Sequence, residues 1–276
     1  MSGEGNTNYT VKAPKTLLNK GTGFLAGYSH SLNPYTGCTF ACSYCYVREM
    51  PVSIFRSEQW GTWVDIKKGA AEVLGKELVR AKAKGPVTIF MSSSTDPYQP
   101  IEHKEGITRS LLEVMTQHQP DFLLVQTRSP LVCRDIDLLA SLGNKVRVSM
   151  TVETDREDIR KYFSPYTPPI TARLKALRTL ADAGIPAQAA IAPILPSSEL
   201  FAEALRPLVK RVCLDDYYMG DGSGGKRTIK MGIPTLYKPL GLEEWATPSA
   251  YKMVYERLRK CFSEDEIFIS QKGFEP

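Results

Sequence analysis

The chain has 276 residues, of which 42% are hydrophobic and 24% charged, within the usual range for a folded globular protein. Its net charge of +5 neither requires nor excludes a polyanionic partner. No apolar run approaches the roughly 18 residues that a membrane helix needs, so no membrane association is predicted. The N-terminus lacks the apolar segment of a secretory signal, and a cytoplasmic protein is therefore expected.

Taken in chain order, residues 1–30 form a lead-in rich in Gly, Asn, Lys and Thr that is predicted to be extended. A first strand is expected just before a cysteine-rich segment, and short apolar runs then alternate with helical spacings. Helices are predicted over residues 65–84, 107–115, 135–142, 172–183, 200–209 and 248–262. Strands are predicted over residues 87–91, 122–126, 146–152, 187–194 and 211–214.

This alternation indicates a parallel sheet with right-handed crossovers. About six βα units are predicted, short of the eight that close a full barrel. The predicted fold class is therefore α/β, an open, partial (β/α)6 TIM-like barrel over residues 31–216. Residues 217–276 are predicted to form a C-terminal extension with a basic, glycine-rich loop and a helix. In such folds, ligands bind beyond the carboxyl ends of the strands.

The segment 33–48 reads NPYTGCTFACSYCYVR and places Cys38, Cys42 and Cys45 in a C-x3-C-x2-C pattern. Three thiolates can hold three irons of a [4Fe–4S] cluster, which leaves the fourth iron open to a cofactor or substrate. A structural zinc site would need a fourth ligand that this loop does not offer, His30 being the nearest histidine. A ferredoxin-type cluster would need a fourth cysteine.

The cysteine pattern, with an aromatic residue beside the last cysteine, resembles the radical S-adenosylmethionine (SAM) superfamily. The ordered segments NPYTGC, CSYCY, SSTDPYQPIE, TRSPLVCRDIDLL, VSMTVET and AAIAPILP, within 33–196, resemble its spore photoproduct lyase-like (DNA repair photolyase-like) group. The resemblance implies a [4Fe–4S] cluster and SAM as cofactors. In the family, an electron from the cluster cleaves SAM to a 5′-deoxyadenosyl radical, which abstracts a hydrogen atom. The founding member repairs a UV-induced thymine dimer in DNA.

The resemblance also implies roles for individual residues. Cys38, Cys42 and Cys45 match the cluster ligands. Tyr44 and Tyr46 match two tyrosines of the family, one near SAM and one in hydrogen transfer, although loop packing is an alternative. The positions that match SAM contacts are Ser93, Thr95, Asp96, Thr127, Arg128, Ser149 and Glu153. Helix capping is the alternative for Thr95 and Asp96, and an exposed strand end is the alternative for Glu153.

One position departs from the family. Ser93 stands where the lyase has its hydrogen-donating cysteine, and a serine O–H bond is too strong for that role. Cys133 follows a predicted strand and is the candidate replacement, the alternative being a small buried hydrophobic side chain. Cys213 and Cys261 are predicted to be structural.

The segment 220–234, GDGSGGKRTIKMGIP, is predicted to be a flexible basic loop. Lys226, Arg227 and Lys230 are expected to contact phosphates, and the flanking Tyr217, Tyr218 and Tyr237 to stack on bases. A solvated surface loop is the alternative. The expected partners are UV-damaged DNA or another nucleic acid, and an electron donor such as a flavodoxin or ferredoxin.

Three functions remain open from the sequence. The first is a radical SAM lyase that repairs a thymine dimer in DNA. The second is a radical SAM enzyme that modifies another base or a small metabolite, which the missing donor cysteine favours. The third is a non-catalytic Fe–S protein that binds nucleic acid, and a failure to bind SAM would support it.

Overall fold

A computed structural model describes residues 7–220 and 222–276. The strands are β1 (Asn8–Lys12), β2 (Asn19–Lys20), β3 (His30–Leu32), β4 (Tyr35–Thr36), β5 (Trp63–Lys67), β6 (Thr88–Met91), β7 (Phe122–Thr127), β8 (Val146–Thr151), β9 (Ala187–Ile191), β10 (Val212–Leu214) and β11 (Ile267–Ile269). The α-helices are α1 (Pro51–Ile54), α2 (Ala70–Lys82), α3 (Glu102–Glu105), α4 (Ile107–Gln117), α5 (Ile136–Leu142), α6 (Glu157–Phe163), α7 (Ile170–Asp182), α8 (Phe201–Leu205), α9 (Lys226–Lys230), α10 (Ala250–Leu258) and α11 (Gln271–Phe274).

The main sheet has eight strands in the order β11-β10-β9-β8-β7-β6-β3-β2. Neighbours from β3 to β11 run parallel, and β2 pairs antiparallel with β3 at one edge. Because β2 and β11 are the two edges of this sheet, the barrel is not closed, as the sequence predicts. The six predicted parallel strands correspond to β3 and β6–β10, and β11 adds a parallel strand from the C-terminal extension.

The predicted helix over residues 65–84 is wrong at its start. Residues 63–67 form β5 in a small second sheet, where β5 pairs with β1 and β4. The helix α2 begins only at Ala70. Backbone pairing on both sides overrides the helical spacing. The buried Asp65 accepts bonds from Lys12 (2.8 Å) and Arg56 (2.9 Å).

The segment 220–234, predicted to be a loop, contains the short helix α9.

Helices pack against the outer face of the sheet through leucines that are fully buried, such as Leu78 in α2, Leu111 in α4 and Leu177 in α7. Each such side chain stabilises the fold by about 1.5–3 kcal/mol. The interior of the barrel holds a separate apolar cluster made of Tyr28, Phe90, Leu124, Ala190, Cys213 and Phe274. Of the described helices, none is long and apolar enough to cross a membrane.

The segments that follow the two edge strands meet at the open side of the barrel. A 3-10 helix over Gly23–Leu25 follows β2, and α11 follows β11. The rings of Phe24 and Phe274 lie 5.9 Å apart, and the Gln271 side chain donates to the Phe24 carbonyl at 2.8 Å. The Tyr28 hydroxyl donates to the Phe274 carbonyl at 2.5 Å. The 3-10 helix after β2 and the helix α11 therefore cover the open side of the barrel between the two edge strands.

Candidate active site

A cavity of about 520 Å³ lies at the carboxyl ends of the parallel strands. Its walls come from the cysteine loop, from residues 92–96 after β6, from residues 126–128 at the end of β7, and from residues 215–217 after β10. Phe90 and Phe274 of the interior cluster also line it. Side chains from separate strands thus converge at the edge where parallel α/β folds bind ligands.

Cys38, Cys42 and Cys45 all line this cavity, and all three are free thiols. Cys38 and Cys42 are buried, and burial raises the pKa of both thiols. In the described part of the chain, no three His, Cys, Asp or Glu side chains are grouped so that they could hold a metal ion. The ligands of a [4Fe–4S] cluster bind different irons, so three separate thiols facing one cavity fit that group.

The cysteine loop is held by contacts with its neighbours. The Gly37 carbonyl accepts bonds from the Thr95 hydroxyl at 2.7 Å and the Gln99 amide at 3.1 Å. Gly37 has a φ of +85°, and a Cβ there would lie 2.4 Å from the Trp63 carbonyl oxygen. Only glycine therefore allows the loop to approach β5 this closely before the first cysteine.

Arg128 joins the cysteine loop to a buried ionic network. Its Nη1 lies 2.7 Å from the Cys42 Sγ, 3.1 Å from the Tyr44 hydroxyl and 3.2 Å from Glu153 Oε1. The Tyr44 hydroxyl donates to Glu153 Oε1 at 2.6 Å, and Arg173 binds Oε2 at 2.5 Å. Burial alone would raise the pKa of Glu153, but Arg173 and Arg128 outweigh it and bring this pKa to about 2. Glu153 is therefore ionised.

Glu153 does not take the position that the sequence suggests. Its side chain is 1% exposed, both carboxylate oxygens have partners within the protein, and it does not line the cavity. It is thus neither an exposed strand-end residue nor a direct cavity contact, because two buried arginines hold it behind the wall. Ser149 also does not line the cavity, since its hydroxyl faces the barrel interior and accepts a bond from Gln188 at 2.9 Å.

The residues after β6 and at the end of β7 do line the cavity, and they bind one another. Asp96 accepts bonds from the Tyr98 amide (2.9 Å), the Thr127 hydroxyl (2.7 Å) and the Arg128 amide (2.9 Å). Its carboxylate therefore closes a turn over residues 96–98 and forms part of the wall, but it does not cap a helix, because the next helix begins only at Glu102. The Ser93 carbonyl accepts a bond from the Tyr46 hydroxyl, so Tyr46 and Ser93 are neighbours on this wall.

Ser92 and Gln126 are among the polar wall residues that the sequence does not predict. Ser92 is 4% exposed and has a φ of +75°, and its hydroxyl has no hydrogen-bond partner among the described residues. Gln126 donates to the Thr151 hydroxyl at 2.6 Å, while within the described chain its Oε1 has no partner. Buried polar atoms of this kind need a partner, so they fit a polar ligand. The strained backbone of Ser92 has no signal in the sequence.

Cys133 is placed away from the cavity, so the prediction that it reaches the mouth of the barrel is wrong. It lies in a 3-10 helix over Pro130–Asp135, and its Sγ is 3.7 Å from the Ala176 carbonyl of α7. This turn directs the thiol toward the outer helices. Burial raises the pKa of Cys133, as expected for a thiol packed against the core.

The basic segment lies partly at the cavity. Arg227 lines it, whereas Lys226 and Lys230 are exposed, and Lys230 forms an ion pair with Glu49 at 2.5 Å. Of the flanking tyrosines, Tyr217 lines the cavity, whereas Tyr218 and Tyr237 do not. Tyr237 is fully buried and its hydroxyl donates to Tyr217 at 2.9 Å, while the hydroxyl of the half-buried Tyr218 donates to the Ala246 carbonyl.

Comparison with known sequences gives one family. The model of the radical SAM superfamily matches residues 32–199, more than half of the chain. An uncharacterized protein of Methanocaldococcus jannaschii is 33% identical over 172 residues, which cover 62% of each chain. An uncharacterized protein of Acidianus two-tailed virus is 30% identical over 208 residues, covering 72% of this chain and 67% of that protein. The chain thus matches about three fifths to two thirds of the length of these relatives.

Comparison with solved structures finds the same architecture. A spore photoproduct lyase variant superposes with a TM-score of 0.66 at 17% identity, covering 95% of this chain and 81% of that chain. Another variant, with bound AdoMet and dinucleoside spore photoproduct, gives a TM-score of 0.62 at 17% identity. SuiB of Streptococcus suis, bound to its precursor peptide, gives 0.56 at 12% identity. At these identities the similarity establishes the fold.

Proposed function

Because the chain belongs to the radical SAM superfamily, whose cofactors are a [4Fe–4S] cluster and SAM, we propose that it acts on a nucleic acid base. The reaction we favour is repair of a UV-induced thymine dimer in DNA, as in the spore photoproduct lyase-like group. One observation carries the proposal: a single cavity combines three free thiols with polar strand-end residues, in a fold similar to spore photoproduct lyase over 95% of the chain.

In this proposal, Cys38, Cys42 and Cys45 hold the cluster at the cavity wall. When bound, the cluster and SAM supply the electron transfer and the 5′-deoxyadenosyl radical on which the family depends. Ser93, Thr95, Asp96, Thr127 and Arg128 border the same space and are the proposed cofactor contacts. The Asp96 bonds to Thr127 and to the Arg128 backbone fix the shape of this wall. The apolar rings of Phe90 and Phe274 line the cavity on the side of the barrel interior, where they limit the access of water.

Tyr46 is the better placed of the two tyrosines for hydrogen transfer. Its hydroxyl bonds to the Ser93 carbonyl, beside the position that holds the donor cysteine in the lyase, and its ring lines the cavity. Burial raises the pKa of Tyr46, which keeps its phenol protonated. The Tyr44 hydroxyl instead binds Glu153 and Arg128 in the wall, a position that suits a role in holding the network.

A second candidate function is the radical SAM modification of another base or of a small metabolite. The observation that favours it is the set of thiols at the cavity: among the described lining residues, Cys38, Cys42 and Cys45 are the only cysteines. Cys133 is not among them and its thiol faces α7, so this proposal assigns it no role as hydrogen donor. For either function, we propose Lys226, Arg227 and Lys230 as phosphate contacts and a flavodoxin or ferredoxin as electron donor.

The test is anaerobic formation of 5′-deoxyadenosine by the reconstituted, reduced protein with intact and with UV-irradiated DNA. Faster formation with irradiated DNA, together with loss of a thymine photoproduct, supports the repair function. Equal, slow formation with both DNAs favours the second candidate. No 5′-deoxyadenosine and no SAM binding would favour a non-catalytic Fe–S protein. A Ser93→Cys variant is the matched probe, because it restores the donor thiol and is expected to raise the yield of repaired thymine.

A further inference from the structure

The contact between Arg128 and Cys42 distinguishes one thiol of the cysteine loop from the other two. Arg128 Nη1 lies 2.7 Å from the Cys42 Sγ. Within the described chain, no side-chain donor of this kind is found at Cys38 or Cys45. The Arg128 side chain is 18% exposed, so its charge acts in a region from which most water is excluded. A cationic donor is therefore aimed at a single sulfur of the proposed cluster site.

The Arg128 guanidinium is held in place from behind. Glu153 pairs with it at 3.2 Å and with Arg173 at 2.5 Å, and the side chains of Glu153 and Arg173 are 1% and 0% exposed. Arg173 is fixed in turn by the Pro168 carbonyl (3.0 Å) and the Thr167 hydroxyl (2.7 Å). The result is a buried row of alternating charge, Arg173–Glu153–Arg128, that ends at the Cys42 sulfur.

We propose that Arg128 is a positioning residue that raises the reduction potential of the bound cluster through Cys42, and that Glu153 limits this effect. The inference rests on the proposed cluster site. Hydrogen bonds to ligand sulfurs and nearby charges set the potentials of Fe–S clusters. Reduction adds negative charge to the cluster, which a cation close to one sulfur stabilises and an anion behind that cation destabilises. The two side chains therefore have effects of opposite sign.

The experiment is a spectroelectrochemical titration of the reconstituted cluster before SAM is added, so that contacts with SAM play no part. In Arg128→Met, we expect the equilibrium constant for one-electron reduction to fall at least tenfold, which is a shift of 59 mV to lower potential. Glu153→Gln is expected to shift the potential in the opposite direction. Arg128→Lys keeps the charge and is expected to lie between Arg128→Met and the parent protein.

Arg156→Met is the matched control, because Arg156 pairs with Asp158 on the surface at 2.6 Å and its removal should leave the potential unchanged. Iron and sulfide content shows whether each variant assembles a cluster. If Arg128→Met assembles no cluster, the inference is tested by the other two variants: a lower potential in Arg128→Lys together with a higher potential in Glu153→Gln supports it. A parent-like potential in the Arg128 variants, with weakened SAM binding alone, overturns the inference. A parent protein without a cluster refutes the proposed function instead.

Discussion

At the scale of single residues, the candidate site depends on charges that are buried and paired. Glu153 is ionised inside the protein only because Arg173 and Arg128 both contact it. A buried carboxylate without these partners would be strongly destabilising. Arg128 and Tyr44 bind it on the side of the cysteine loop, so the position of Cys42 and the ionisation of Glu153 are linked by direct contacts.

The cysteines give a prediction with an internal control. Cys42→Ala is expected to abolish both cluster assembly and 5′-deoxyadenosine formation, because only two thiolates would remain to hold the [4Fe–4S] cluster. Cys133→Ala should leave both at the parental level, since its thiol faces α7. Iron content and product formation are measured on the same preparations. Product formation by Cys42→Ala, or an altered product profile in Cys133→Ala, would contradict these assignments.

Lys67 gives a prediction about pH. Burial lowers the pKa of its ammonium group from 10.5 to about 8, although Asp65 acts in the opposite direction. At pH 7 the side chain is charged in the folded protein, although it is partly buried. Between pH 8 and 10.5 the folded state releases this proton before the unfolded state does, so the stability of the parent rises with pH.

Lys67→Met removes this charge and also the bond from Lys67 to the Asn33 carbonyl. The net effect should be a stabilisation of about 1–2 kcal/mol at pH 7. The stabilisation should be smaller at pH 10, where most of the parent's Lys67 is already neutral. Denaturant unfolding at the two pH values measures this difference. Lys68→Met is the control, because Lys68 is 66% exposed. A gain for Lys67→Met that is the same at both pH values would argue against a buried, charged Lys67.

At the scale of elements, the site is built by loops whose positions come from strands far away in the chain. Thr95 and Gln99, after β6, hold Gly37 in the cysteine loop, and β5 lies against the same glycine. Residues 126–128 at the end of β7 add the Arg128 contact to Cys42. The cysteine loop is thus positioned by residues that follow their contact partners in the loop by between 26 and 86 positions.

Two glycines test the packing of these elements. A Cβ at Gly273 in α11 would lie 2.1 Å from the Cys213 Sγ, so Gly273→Ala should destabilise the protein by roughly 1–3 kcal/mol. A Cβ at Gly75 in the middle of α2 would meet only Val114 at 3.7 Å, an ordinary contact. Gly75→Ala should therefore stabilise the protein by about 0.5–1 kcal/mol. Denaturant midpoints measure both, and destabilisation of equal size in the two variants would contradict the packing of α11 into the barrel.

At the scale of the whole molecule, segments from the first and last thirds of the chain meet across the open side of the barrel. The contact between Phe24 and Phe274 and the bond from Tyr28 to Phe274 join segments that are about 250 residues apart in the sequence. Phe24 and Phe274 also line the cavity. The cysteine loop and the end of the chain therefore line one cavity. The basic helix α9, with Lys226, Arg227 and Lys230, lies beside this cavity, and Arg227 lines it.

The proposed phosphate contacts on α9 give a prediction about nucleic-acid affinity. Replacing both Lys226 and Lys230 by Ala should weaken binding of a UV-irradiated oligonucleotide and reduce the slope of log K against log[salt] by roughly 1–2. Lys145→Ala with Lys210→Ala is the control, because these exposed lysines precede β8 and β10 and lie at the opposite end of the barrel. Fluorescence anisotropy over a salt series measures both. Equal losses in the two double variants would indicate nonspecific attraction.

The sequence alone predicts the alternation of strands and helices, the six parallel strands of an open barrel, and the three cysteines on one loop. These features are local: apolar periodicity reports which face of an element is buried, and three ligands within eight residues need no knowledge of the rest of the chain. The resemblance to the family implies the polar residues after β6 and at the end of β7, and their position agrees with the rule that strand ends in a parallel sheet meet at one edge.

Other features of the fold and of the site follow only from the tertiary structure. Whether residues 63–67 form a strand depends on partners elsewhere in the chain, as does the addition of β11. The direction of a side chain at the end of an element depends on the packing around it. This packing directs Cys133 toward the outer helices and encloses Glu153 between two arginines. It also places polar atoms of Ser92 and Gln126 in the cavity wall. Such arrangements arise from contacts between residues distant in sequence, and a local pattern carries no record of them.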